Sequence, residues 1–270
     1  MKHCHFSILY NELPFLKQKL PFLYAYFDQI IFYDLNIESL TNSNDGSIEF
    51  IKYYPDPQKK ITLIKKADLD DVNHYEGYSF IEKRKMFAVG STYVRDDMDV
   101  FWCTDMDEFF TKKLIEHVEQ FYRDTDNVTI LVPHIVFFRN DKFVFSTNEP
   151  DGDLWMFPWA RITKHNPGQL YGHCSLSEQF LPVGWIFNEP IYHFSYIGIK
   201  KVQSKVNAHG YPDWVNNIWI KFDESKLIFE GENMVHGFPY MHPVAERGIK
   251  LNTRKIPNYI SPKEMIRGIK

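Results

Sequence analysis

The first hundred residues alternate between apolar segments and segments with helical spacing, and this order restricts the fold more than any other feature. Strand-like apolar runs occupy 6–10, 29–35, 61–64 and 99–104, and helical patterns occupy 13–26, 48–54 and 80–94. Pro21 lies inside the first helical pattern and is expected to kink or end that helix. The βαβαβαβ order predicts an α/β fold, with a mostly parallel central sheet and helices on both faces.

Beyond residue 110 this alternation is lost. A helical pattern at 114–122 and a strand pattern at 129–138 follow, with a hairpin partner expected at 142–146. The next stretch, 147–190, is irregular. We therefore expect one domain over 1–270, in which 1–110 forms a nucleotide-binding half and an irregular C-terminal part, 111–270, forms an acceptor-side half.

Composition and the chain start exclude several classes of protein. There are 31 Lys and Arg against 35 Asp and Glu, a net charge of −4, whereas nucleic-acid binders usually carry a basic excess. The first apolar stretch is too short for a secretory signal, and no window has the composition of a membrane span. Three cysteines far apart (Cys4, Cys103 and Cys174) are typical of a reducing compartment. The expected location is the cytoplasm, without a membrane anchor of the chain's own.

Two aspartates, Asp105 and Asp107, follow the fourth predicted strand directly. If the chain stays extended there, both side chains project to the same side, at the sheet edge where open α/β sheets bind ligands. Two close carboxylates repel each other, and a hard divalent cation such as Mg²⁺ or Mn²⁺, shared with a diphosphate, relieves that repulsion. The alternative is a solvated acidic turn that caps the next helix and pairs with Lys112 or Lys113.

Three blocks of the sequence have the pattern of a known family. They are Asn11-Glu12-Leu13 with Leu16 and Leu20, the segment from Glu82 and Arg84 to Thr104-Asp105-Met106-Asp107-Glu108, and His193-Phe194-Ser195-Tyr196-Ile197-Gly198 with Lys205 and His209. With these blocks the chain resembles GT-A-fold glycosyltransferases, whose Asp-x-Asp turn holds the metal that binds a nucleotide sugar's diphosphate. More narrowly it resembles glycosyltransferase family 17, which includes the bisecting β-1,4-N-acetylglucosaminyltransferases, and related microbial proteins. The chain departs from that pattern at Thr104, at Phe109-Phe110 and at Gly184-Trp185.

The resemblance implies a GT-A fold and a metal-dependent glycosyltransferase. The expected donor is a UDP-sugar, the expected acceptor is a hydroxyl of a glycan or another molecule, and inversion at the anomeric carbon is expected. Two alternatives stay open. One is a metal-dependent phosphohydrolase or nucleotidyltransferase that uses the same acids, and the other is a non-catalytic carbohydrate-binding protein, which the 45 aromatic residues (23 Phe, 16 Tyr and 6 Trp) would allow.

Five residues are candidates for contacts with the donor nucleotide. The resemblance implies that Asn11 and Glu12 contact the base or ribose, although they also suit a helix start. Asp34 ends the second predicted strand and could accept from the base or ribose, or act as an ordinary turn residue. Arg84 and Lys85 precede the acidic strand and could reach the diphosphate oxygens, or form a solvated helix face.

The C-terminal half supplies the remaining candidates. His193 is the expected third metal ligand beside Asp105 and Asp107, although a buried structural histidine would fit the same strand-like run, and His209 is the reserve candidate. Lys205 is expected to help neutralise the departing diphosphate. Glu178 and Asp213 are candidates for the general base, and no spacing rule chooses between them.

Overall fold

The computed structural model describes most of the N-terminal part of the chain and shorter stretches of the rest. The described residues are 1–35, 41–65, 79–125, 129–139, 143–146, 157–168, 183–186, 189–199, 202–203, 220, 228–232 and 250–255. Its helices are α1 (Leu13–Tyr26), α2 (Ser47–Lys52), α3 (Ser79–Thr92) and α4 (Lys112–Asp124). Its strands are β1 (His3–Leu9), β2 (Gln29–Asp34), β3 (Ile61–Lys65), β4 (Val100–Cys103), β5 (Glu108–Phe109), β6 (Thr129–Arg139), β7 (Phe143–Ser146), β8 (Phe157–Lys164), β9 (Val183–Trp185), β10 (Ile191–Ile197), β11 (Ile228–Glu232) and β12 (Lys250–Lys255).

The chain divides into two compact units. The first comprises Met1–Pro133 and Pro158–Glu189, and the second comprises His134–Phe157 and Pro190–Lys270. The sequence-derived halves, 1–110 and 111–270, describe an expected division of function within one domain, and that expectation stays a prediction.

The first unit is built on a sheet with the strand order β8-β4-β1-β2-β3. Strands β1 to β4 run parallel to their neighbours in this group, and β8 joins the edge of β4 in the antiparallel direction. The apolar segments are nearly continuous, as in sheets that are covered on both faces; β2 and β4, for example, are buried along their whole length. The predicted α/β class with a mostly parallel central sheet is therefore confirmed.

Helices cover both faces of this sheet. On one face Phe6 of β1 packs against Phe87 of α3, with 4.9 Å between the ring centroids. Helix α3 comes so close that a Cβ atom on Gly90 would lie 1.9 Å from the Phe6 ring, so any larger residue there would force the ring or the helix to shift. Because strand side chains alternate, His5 points to the opposite face, where its ring lies 5.4 Å from that of Phe27 at the end of α1.

Pro21 does not end the first helix, which was one of the two outcomes expected from the sequence; the other, a kink, stays a prediction. Helix α1 continues through it to Tyr26. A proline removes one helical N–H donor, here the partner of the Lys17 carbonyl. Both Pro21 and Lys17 are exposed, so water can satisfy that carbonyl, and the helix tolerates the loss.

The second unit has the strand order β11-β12-β7-β6-β10, to which β6 contributes its C-terminal part. The predicted hairpin is confirmed, since β7 pairs with β6 in the antiparallel direction with Val144 opposite Phe137. Strand β10 runs parallel to β6, with Ile191 opposite His134. The rings of Phe137 and Phe194 stack at 4.6 Å between centroids and anchor this pair of strands. Within the described residues no helix is long and apolar enough to cross a membrane.

Candidate active site

The acidic segment lies beside the point where the strand order of the first unit reverses. The chain places β2 and β3 on one side of β1 and then returns to place β4 on the other side. In open α/β sheets this reversal leaves a crevice at the carboxyl ends of the two strands, and ligands bind there. Thr104 follows β4 at this edge, and its N–H donates to the Phe6 carbonyl of β1 at 3.2 Å. The position expected for Asp105 from the sequence is therefore the position found.

The acidic residues form a turn, so the extended-chain argument from the sequence is wrong in its geometry. The Glu108 N–H donates to the Asp105 carbonyl at 3.1 Å, which closes a β-turn over 105–108. The Asp105 N–H in return donates to Glu108 Oε2 at 3.0 Å. The side chain of Asp105 is 22% exposed, whereas Asp107 is 5% exposed and Glu108 is fully buried. The turn thus presents Asp105 to solvent most openly and turns Glu108 inward.

Two buried cations lie against this turn, and the sequence reading missed both. The Arg161 guanidinium, from β8, donates to Glu108 Oε1 and lies 3.7 Å from Asp105 Oδ2. The Lys19 ammonium, from α1, donates to the Asp105 carbonyl at 2.6 Å and to Thr104 Oγ1 at 2.9 Å. Both cationic side chains are only 1% exposed. Unpaired charges are rarely buried in proteins. The burial of Lys19 and Arg161 therefore indicates that the acidic turn is the partner that compensates their charges.

The electrostatics of the turn reflect this burial. The pKa of Lys19 is lowered from 10.5 to about 8, chiefly because burial disfavours the charged form, while the carboxylates of Glu108, Asp107 and Asp105 act to raise it. Burial, with the Lys19 charge nearby, holds the pKa of His5 well below its usual 6.5, so His5 is neutral. The Thr104 hydroxyl oxygen accepts from Lys19, and His5 Nε2 lies 2.7 Å from the same oxygen.

The donor set at the turn fits a divalent cation that is shared with a ligand. Mg²⁺ and related ions are often held by one or two carboxylates and by substrate phosphates. Asp105 and Asp107 supply two carboxylates, and Asp105 is partly exposed. Among the described residues no group of three His, Cys, Asp or Glu side chains is placed to hold a metal by itself. The described part therefore has no metal site made of protein ligands alone. It is compatible with a site in which phosphate oxygens of a bound ligand complete the coordination.

Two residues that were predicted to contact the nucleoside bind the loop 41–46 instead: Asp34, at the end of β2, and Asn11, which follows β1. Asp34 is fully buried, and its two carboxylate oxygens accept from the N–H and the hydroxyl of Ser43. Burial raises the pKa of Asp34, while these hydrogen bonds act in the opposite direction. Asn11 has a left-handed backbone, with φ of 52°, and its side-chain oxygen accepts from the Asn44 N–H at 2.9 Å. These contacts favour the turn role for Asp34 and leave a nucleotide contact as a prediction.

The same loop supports the start of α1. Asp45 Oδ2 accepts from the Leu13 N–H at 2.9 Å, and Asp45 Oδ1 accepts from the Ser47 N–H at 3.0 Å. Glu12 is the residue before the helix, and its carbonyl accepts from the Leu16 N–H. The backbone of Glu12 thus takes part in the start of the helix, as the helix-start alternative expects. The loop 41–46 lies over the carboxyl ends of β1 and β2.

His193 lies in the second unit, on β10. It is 6% exposed, and its ring centroid is 6.3 Å from that of His134 on β6. This burial fits the structural alternative, and its role as third metal ligand stays a prediction. Arg84 and Lys85 lie on α3 as expected, but the structure describes only their backbone. Four further candidates lie outside the described residues: Glu178, Lys205, His209 and Asp213.

One of the missed cations had a signal in the sequence. Lys19 occupies the same helical stripe as Phe15, Leu16, Leu20 and Leu23, all of which are buried. A lysine in the apolar stripe of a helix indicates a buried charge that needs a partner. Arg161 had no such signal, because it lies in the stretch 147–190, which was expected to be irregular; the structure corrects this expectation, since β8 (Phe157–Lys164) forms there.

Comparisons with known proteins find similarity of structure only. No protein-family model matches the chain, and no curated protein matches it. Crystal structures of S. aureus TarS 1-349 are similar: the complex with UDP-GlcNAc has 13% identity and a TM-score of 0.38 over 51% of this chain and 35% of that chain. Without ligand, TarS 1-349 has 11% identity and a TM-score of 0.44 over 83% and 68%. A 4-diphosphocytidyl-2C-methyl-D-erythritol synthase from Anaerococcus prevotii has 11% identity and a TM-score of 0.42 over 78% and 95%. The chain therefore spans about a third of the first of these structures, and such identities assign no role to any of its residues.

Proposed function

We propose that this chain is a metal-dependent glycosyltransferase that moves a sugar from a nucleoside diphosphate sugar, a UDP-sugar, to a hydroxyl of a glycan or another acceptor. One observation carries the proposal. The turn 105–108 lies at the carboxyl end of β4, beside the reversal of strand order, and it presents a partly exposed carboxylate there. The narrower assignment, to glycosyltransferase family 17, rests on the three sequence blocks alone.

The proposed roles follow the chemistry of the leaving group. Asp105 and Asp107 would hold the cation, with His193 as the third ligand carried over from the sequence. A divalent ion bound there neutralises charge on the diphosphate. Arg84, Lys85 and Lys205 would add positive charge at the phosphates, and Asn11 and Glu12 would contact the nucleoside.

The transfer itself is an inverting displacement at the anomeric carbon. The acceptor oxygen attacks C1 from the side opposite the diphosphate, the C1–O bond breaks, and its electron pair leaves with the diphosphate. A carboxylate, Glu178 or Asp213, would take the proton of the acceptor hydroxyl. Orienting two bound substrates supplies much of the remaining acceleration.

The experiment is a thermal-shift and calorimetric screen of nucleoside diphosphates and their sugars, with and without Mn²⁺. A ligand at about 100 times its Kd should raise the free energy of unfolding by about 2.7 kcal/mol. We expect this for UDP with Mn²⁺, and we expect it to be lost in Asp105→Asn and in Asp107→Asn. Asp96→Asn is the matched control, because Asp96 is exposed on the loop before β4.

Two results would count against the proposal. Release of phosphate or nucleotide from these donors with any acceptor, but without a glycoside product, would favour the phosphohydrolase or nucleotidyltransferase alternative. Sugar binding that needs no metal and survives Asp107→Ala would favour a non-catalytic carbohydrate-binding protein.

A further inference from the structure

We propose that Lys19 and Arg161 are positioning residues that fix the orientation of Asp105 by holding its peptide groups from both sides. The inference rests on the proposed function insofar as Asp105 is taken as a metal ligand. It adds two residues that were not among the candidates from the sequence, and it gives each one a role.

Lys19 holds the carbonyl side of Asp105. Its ammonium donates to the Asp105 carbonyl at 2.6 Å and to Thr104 Oγ1 at 2.9 Å. The Thr104 carbonyl accepts in turn from the Ser7 hydroxyl on β1. The peptide group before Asp105 is therefore tied to β1 through Ser7, and the peptide group after it is tied to α1 through Lys19.

Arg161 holds the amide side of Asp105 through Glu108. Its guanidinium donates to Glu108 Oε1, and the other oxygen, Oε2, accepts from the Asp105 N–H at 3.0 Å. The same guanidinium nitrogen lies 3.7 Å from Asp105 Oδ2. With its amide and its carbonyl both fixed by buried charged groups, Asp105 keeps its Cα–Cβ bond in one direction.

Burying Lys19 and Arg161 beside three carboxylates costs free energy of desolvation, which indicates that this cluster has a role besides stabilising the fold. Buried ions lose their hydration, and apolar groups of the same size often stabilise a fold at least as well. The turn has three carboxylates and two cations, which leaves a net charge of about −1 when all are ionised. That residual charge suits a site that holds one divalent cation together with an anionic ligand.

The test separates orientation from charge by means of Arg161→Lys. Lysine keeps the positive charge but lacks the planar fork of donors. We expect the Kd for Mn²⁺ alone, measured by calorimetry, to rise about 10-fold, the low end of what loss of a ligand's hydrogen-bonded support costs. Arg123→Lys, at an exposed position on α4, is the matched control and should leave this Kd unchanged. A folded Arg161→Lys variant that binds Mn²⁺ as wild type does would overturn the proposal.

A second pair of variants decides the matter if Arg161→Lys does not fold. Thr104→Val removes one of the acceptors of Lys19 without changing any charge, and Thr104→Ser keeps it. We expect a several-fold rise in the Mn²⁺ Kd for valine and recovery for serine. A rise in both or in neither would contradict the role of Lys19.

Amide hydrogen exchange at Asp105 distinguishes failure of this proposal from failure of the proposed function. If wild type binds neither Mn²⁺ nor UDP, the proposed function fails, and the positioning role is then judged by exchange alone. Faster exchange of the Asp105 amide in Arg161→Lys, but not in Arg123→Lys, supports positioning. Unchanged exchange overturns it.

Discussion

Replacing Lys19 with methionine should change how stability depends on pH. In the folded protein the pKa of Lys19 is about 8, against 10.5 for an ordinary lysine. Between these two values the unfolded chain keeps the proton that the folded protein has lost, so wild type gains stability as pH rises. At about 1.4 kcal/mol per pH unit, the total gain attributable to Lys19 is about 3 kcal/mol. Below pH 8 both states hold the proton, and this contribution to the slope disappears.

The assay is urea unfolding of wild type and Lys19→Met from roughly pH 7 to 10, with a chelator present. The difference in unfolding free energy between the two proteins isolates Lys19, because tyrosines and other lysines titrate in both. We expect wild type to gain about 2 to 3 kcal/mol on the variant over this range. Lys17→Met, at an exposed position on the same helix, is the control for removing a charge from α1. If the difference in unfolding free energy rises with pH no more steeply for Lys19→Met than for that control, the reasoning is refuted.

The charged groups that act on the pKa of Lys19 are Asp105, Asp107, Glu108 and Arg161.

Two further substitutions test the framework around the site by urea unfolding. Gly90→Ala should destabilise by about 2 kcal/mol, because a Cβ atom 1.9 Å from the buried Phe6 ring costs about 3 kcal/mol and helix propensity returns only about 1. Adding Phe6→Leu should recover part of the loss, and a Gly90→Ala protein as stable as wild type would show that α3 is not packed this closely. Asp45→Ala should cost about 1 to 2 kcal/mol, because both the Leu13 and Ser47 amides lose an acceptor. Asp45→Asn keeps one oxygen and should cost less, and equal losses for the two variants would argue against the capping role.

Local pattern was sufficient for most of the secondary structure over 1–125, but not for β8 and β9, which form within the stretch 147–190 that was expected to be irregular. Helix α1 has the predicted bounds, Leu13–Tyr26, because its apolar spacing and Pro14 define it without tertiary help. Strand β2 ends at Asp34, one residue before the predicted end. That α1 continues through Pro21 has a non-local cause, since it depends on which face of the helix is exposed.

The geometry of the acidic turn could not be predicted in the same way. An extended chain over 105–108 and a closed turn differ by one backbone hydrogen bond and by the side-chain contacts of Glu108. Those contacts depend on Arg161, which is 53 residues further along the chain. The sequence shows that the three acids lie together after the fourth strand, and only the fold shows which of them faces inward.

The three acids of the turn have different chemical tasks because their surroundings differ. Glu108 is fully buried and shares its two oxygens between Arg161 and the Asp105 amide, so it acts within the protein. Asp105 is the most exposed of the three, and its backbone N–H and carbonyl bond Glu108 and Lys19. A carboxylate that binds a cation must be oriented without being neutralised, because a close ion pair with a protein cation would compete with the metal. Arg161 bonds Glu108 directly and lies 3.7 Å from Asp105 Oδ2, so it pairs more closely with the inward-facing acid than with the proposed metal ligand.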